Sequence, residues 1–108
     1  MSHEVICEYA ILYRLWDGKL QVFDGCVIRI GDRYSNHCRF RRNNDKHEML
    51  RVSDKSCEVY CDNVWMKEPN EKEARELLRE NYRIRLAKHE ADVARMIKYI
   101  NILEKADS

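Results

Sequence analysis

Two periodicities divide the chain. Through residues 4–66 apolar side chains come in short alternating runs, interrupted at intervals by Asp, Asn, Gly and Ser. Through residues 71–106 they recur every third or fourth position, with no Gly and no Pro. A period of two marks a strand with one buried face, and a period near 3.6 marks an amphipathic helix. The pattern therefore predicts one α+β domain over residues 1–108, strand-rich in 1–67 and helical in 70–106.

The strand region resolves into about six runs. Residues 4–14 are rich in Val, Ile and Tyr, and Asp17 and Gly18 follow, the pair that a tight hairpin turn prefers because positive φ is tolerated there. Residues 19–30 form the return, with a bulge or second turn expected at Asp24 and Gly25. Residues 33–42, 47–52, 57–60 and 64–66 are the remaining runs, separated by Asn-, Asp- and Ser-rich turns. Turns at this spacing predict an antiparallel sheet, as a meander or a small open barrel.

The helix has a marked start. Pro69 blocks continuation upstream, Asn70 is a good N-cap, and Glu73 stands three residues on, as in a capping box. Glu71, Glu73 and Glu76 complement the positive end of the helix dipole. A continuous helix to residue 106 spans roughly 54 Å, whereas strands of ordinary length span about 17–20 Å. Yet its apolar stripe runs to the end. Tyr82, Leu86, His89, Val93, Met96, Ile100 and Leu103 are spaced 4, 3, 4, 3, 4, 3, a coiled-coil seam. Ala74, Leu77, Leu78, Ile84, Ala87, Ala91, Ala94 and Ile97 widen it. Either the helix breaks into a pair within residues 88–92 or a second subunit covers the seam. The absence of turn residues there favours a homo-oligomer.

Composition narrows the class. With 44% hydrophobic and 36% charged residues, one Pro and three Gly, the chain is globular and not disordered. The net charge is +1, and the helix mixes both signs, so direct binding of duplex DNA is not expected. Residues 26–55 nevertheless carry eight basic and four acidic groups. No 18-residue apolar run exists, so no membrane span is expected. Met1, Ser2, His3 and Glu4 do not open a secretory signal, and Cys7, Cys26, Cys38, Cys57 and Cys61 are odd in number. Both point to free thiols in a reducing cytoplasm.

The densest chemistry lies in residues 33–42. Read with period two, Arg33, Ser35, His37, Arg39 and Arg41 share a face that holds no acid. Guanidinium groups suit bidentate contact with phosphate. Arg29 and Arg51 on flanking strands extend the surface, and Tyr9, Tyr13 and Trp16 offer planes on which a base stacks. The competing reading is a solvated face paired with Glu8, Glu48 and Glu58. For zinc, Cys57 and Cys61 with His37, Cys38 and His47 lack the usual paired knuckles, so no metal is expected. No phosphate loop, G-x-S-x-G or H-E-x-x-H motif occurs, so neither an enzyme nor a bound cofactor is expected.

At Asn63, Val64, Trp65, Met66, Lys67 and Glu68, followed by Asn70, Glu71, Lys72, Glu73 and Ala74, the chain resembles small proteins encoded by phages and prophages of low-GC Gram-positive bacteria. In layout it is similar to the anti-Thoeris sponges, which pair a strand-rich half with C-terminal helices and assemble as oligomers. The resemblance implies an anti-defence protein that sequesters a small nucleotide immune signal in the host cytosol. The alternatives are an anti-CRISPR-like inhibitor of a host defence protein and a structural or regulatory phage protein.

Overall fold

The computed structural model describes residues 2–31, 36–44 and 48–106, and of residues 2, 3, 36, 37 and 106 the backbone alone. In chain order the elements are β1 (Ser2–Trp16), β2 (Lys19–Gly31), β3 (Asn36–Arg42), β4 (Met49–Arg51), β5 (Asn63–Met66) and α1 (Glu71–Ala106). The strands form one antiparallel sheet in the order β4-β3-β2-β1-β5. Strands β1 to β4 are a meander, and β5 returns to the free edge of β1. Two compact units result, Met1–Leu78 and Arg79–Ser108.

The β1–β2 hairpin turns where the sequence says it should. Asp17 and Gly18 take φ of 53° and 73°, the left-handed pair whose twist matches that of the flanking strands. The bulge falls elsewhere than expected. Strand β2 runs unbroken through Gly25, and the register shifts instead lie opposite it, between Val5 and Cys7 and between Cys7 and Ala10 on β1. Gly25 has a different role. A Cβ there would lie 2.1 Å from the Arg41 carbonyl oxygen and 2.8 Å from Cζ of Phe40, so only glycine lets β3 come this close.

Among the described residues there are five strands, not six. Residues 57–60 do not extend, because Cys57 has φ of 63° and only Tyr60 bridges, to Asn63. The Tyr60 and Asn63 backbones exchange hydrogen bonds of 2.9 and 3.0 Å around Cys61 and Asp62, both at positive φ. That tight turn uses up the length a sixth strand would need.

The core of the first unit is Ala10, Leu12, Val27, Phe40, Val52 and Trp65. Each fully buried Val, Leu or Phe side chain contributes about 1.5–3 kcal/mol relative to exposure. The Trp65 indole nitrogen donates to the Ser53 carbonyl at 2.7 Å, and Asn63 Nδ2 donates to the Arg51 carbonyl at 2.8 Å. Both bonds hold the β4–β5 connection in place, and they satisfy polar groups that burial would otherwise penalise. All four residues of β5 are buried.

The helix starts as its sequence predicts. The Glu73 amide donates to Asn70 Oδ1 at 3.1 Å, and the Ala74 amide donates to the Asn70 carbonyl at 3.0 Å. The Asn70 amide itself donates to the Tyr13 hydroxyl at 3.0 Å. Ala74 and Leu78, four apart on one helix face, are buried. The structure gives one helix of 36 residues, Glu71–Ala106, and no break within 88–92. Among the described residues of the second unit no side chain is buried. No helix of the described residues is long and apolar enough to cross a membrane.

Candidate anion-binding face

Strand β3 carries the arginines, and its register decides which of them meet. Arg39 pairs with Ile28 of β2 on one side and Arg51 of β4 on the other. Arg41 pairs with Cys26 and Met49. Paired residues share a face, and so do residues two apart on one strand. Arg39, Arg41 and Arg51 therefore share one face, and their ladder partners Ile28, Cys26 and Met49 carry no charge. Directly opposed residues have Cβ atoms about 5 Å apart, and like charges so placed destabilise a sheet. Arg41 and Arg51 are exposed and Arg39 is half-buried. Among the described residues none of the three pairs with a carboxylate. Arg39 Nη1 donates to the Cys38 carbonyl at 3.2 Å, which leaves the rest of that guanidinium's donors for a ligand.

Two of the three carboxylates expected to compete for these arginines, Glu48 and Glu58, are occupied elsewhere. Glu48 meets Arg42 at 2.8 Å and Arg14 at 3.9 Å. Arg42 is one residue out of phase with Arg41 and lies over the Phe23 ring at 3.9 Å, on the other face. Arg14 also donates to Gln21 Oε1 at 2.8 Å and lies over the rings of Trp16 and Phe23. Glu58 accepts the Ser53 hydroxyl at 2.8 Å.

The other expected site residues separate. Arg29 pairs with Cys38 and Glu4 in the ladder, on the face opposite Arg39. Its guanidinium meets Glu4 at 3.5 Å and Asp54 at 3.8 Å. The Cys38 thiol beside it, and then those two carboxylates, hold its pKa above the ordinary arginine value. Tyr13 is only 3% exposed and its hydroxyl is committed to the helix start, so it offers no stacking face. Tyr9 is 79% exposed but lines a different recess, with Gly25, Asn43 and Lys67. The reason is topological: β2 lies between β1 and β3, so β1 aromatics do not neighbour β3 arginines. His37 pairs with Ile30 through its backbone. Arg33 and His47 lie outside the described residues.

A cavity of about 350 Å³ sits at the end of β3, lined by Arg29, Cys38, Arg39, Val52, Ser53, Asp54, Glu58 and Tyr60. Sequence reasoning did not bring Asp54 and Tyr60 to this place, because residues 53–56 read as a turn and 57–60 as a strand, and it took Glu58 only as a cross-sheet partner of the arginines. Arg29 is already paired with Asp54 there, Glu58 adds a second acid, and the ladder turns the Arg39 side chain to the opposite face. The balance does not suit a polyphosphate. All five cysteines are free, and among the described residues no three His, Cys, Asp or Glu converge. Burial, and then the Glu73 carboxylate, pushes the Cys57 pKa up.

No family model matches the sequence, and no curated protein and no solved structure matches it either.

Proposed function

We propose that this chain is a non-catalytic binding module that holds a phosphate-bearing small molecule on Arg39, Arg41 and Arg51. One observation carries the reading: Arg39 directly faces Arg51 across the β3–β4 ladder without a carboxylate between them. A fold gains nothing from that opposition, whereas charge-assisted bonds to phosphate are about twice as strong as neutral ones and offset it. In the phage setting that the sequence resemblance implies, the ligand is a small nucleotide signal of host immunity, held intact. The test is titration calorimetry with inorganic triphosphate and a nucleotide panel. Arg39→Ala with Arg41→Ala abolishes binding and leaves the melting temperature equal or slightly raised. If the double variant unfolds, or binds as the wild type does, the site is refuted. A ligand released intact on heating distinguishes sequestration from catalysis, which releases products.

A second reading, a surface for a protein effector of host immunity, is favoured by the exposure of Val5, Tyr9, Trp16 and Val22 on the sheet. It predicts that an effector binds the wild type and the Arg39/Arg41 double variant equally.

A further inference from the structure

Leu86, Met96, Ile100 and Leu103 are each more than half exposed, and Val93 is 37% exposed. Exposed apolar residues scattered singly need no explanation; these repeat in heptads. Leu86, Val93 and Ile100 fall at the a positions, and Tyr82, Met96 and Leu103 fall at d. Three consecutive heptads are enough to define what covers them, because a coiled-coil seam is complementary chiefly to another of its kind. The residue types narrow the choice further. β-Branched residues at a, with Leu at d, favour two parallel strands, and two of the three a residues are β-branched. His89 at the remaining d position interrupts the apolar run, and a polar residue inside a seam fixes register at a cost in stability.

The flanking charges agree. In a parallel pair in register, each g residue meets the e residue five positions on in the other strand. Arg85 at g then meets the partner's Glu90 at e, twice by symmetry. Arg85 lies over the ring of Tyr82, a d residue of the seam, at 5.3 Å, which places it at the seam's edge. An antiparallel pair would instead bring Arg83 against the partner's Glu104 and separate Arg85 from Glu90.

We infer that the second unit pairs with a second copy of this chain as a parallel two-stranded coiled coil over residues 82–103, registered by Arg85 against the partner's Glu90. The pairing is independent of any ligand on the sheet, so its failure and that of the anion site are separate results.

The test is sedimentation equilibrium on the full chain, with circular dichroism to confirm that each variant keeps its helix and sheet. The wild type is a dimer, and Met96→Glu with Ile100→Glu is a folded monomer. Arg85→Glu alone and Glu90→Arg alone each replace two attractions by two repulsions and weaken the dimer about tenfold. Arg85→Glu combined with Glu90→Arg restores it. Arg83→Glu changes the dimer little. A monomeric wild type at 100 micromolar (about a hundredfold above an ordinary micromolar dissociation constant), a trimer, a double swap that stays weak, or a dimer broken by Arg83→Glu and not by Arg85→Glu each overturns the proposal.

Discussion

In the first unit Leu12, Val27, Phe40 and Val64 are wholly withdrawn from water. In the second, Ile84, Leu86, Ile97, Ile100 and Leu103 keep more than half of their surface in it. The side chains are of the same kind, so the difference is not one of hydrophobicity. It lies in contact order. Strands β1 to β5 bring residues distant in sequence into one sheet, and Trp65 reaches back to Ser53 and Leu12. A helix brings together only residues three or four apart, and those cannot cover one another. A periodic apolar stripe on an isolated helix is therefore a statement about something outside that helix.

The sharpest way to break the comparison is to make a similar truncation in each unit. Trp65→Ala removes the largest fully buried side chain and the donor to the Ser53 carbonyl. It should destabilise the first unit by about 3–5 kcal/mol, read as a large fall in the denaturant midpoint followed by sheet signals. Ile100→Ala, at a concentration where the chain is monomeric, should change the stability read from that midpoint by less than about 0.5 kcal/mol. Equal losses would mean that the second unit is covered after all by the chain itself.

A smaller effect sharpens the point inside the first unit. Gly25→Ala adds one methyl group, yet backbone atoms of Arg41 stand in its place. Backbone cannot swing aside as a long side chain does. The expected cost is about 1–3 kcal/mol, accompanied by weaker triphosphate binding, because β3 must shift with Arg41. A neutral Gly25→Ala would show that the close approach of β2 and β3 is not required.

Much of this fold is legible in the sequence where the cause is local. Asp17 and Gly18 turn because their own backbones tolerate positive φ, and Asn70 caps because Glu73 and Ala74 are its immediate neighbours. Alternation alone places Arg39 and Arg41 on one face of β3. What is not legible depends on pairing between strands. Gly25 announces a special position, but the extra residues that accommodate it lie on β1. Arg29 looks as available as Arg51 in the sequence, and only register sends it to the opposite face, to Glu4 and Asp54. Glu48 serves Arg42 and not Arg41, a one-residue phase that no composition reveals. The missing sixth strand is lost to the turn at Cys61 and Asp62, where two residues without glycine take left-handed φ.

The smallest expected effect has the opposite sign. Arg51 is exposed, directly faces Arg39, and makes no ion pair among the described residues. Its backbone carbonyl serves Asn63, but that bond survives a change of side chain. Arg51→Ala should therefore raise stability, by roughly 0.2–1 kcal/mol, the size of a directly opposed like-charge pair. If the gain comes from relieved repulsion, it should shrink in 1 M salt, where the screening length falls to about 3 Å. A double-mutant cycle separates this from any general preference for Ala. Once either arginine is gone, removal of the other has no repulsion left to relieve, so Arg39→Ala with Arg51→Ala should be less stable than the sum of the two single changes predicts. Bound triphosphate should invert the order, stabilising the wild type more than either variant. A wild type that is more stable than Arg51→Ala without ligand would mean that the guanidinium has a structural partner on that face, and the anion site would lose its physical basis.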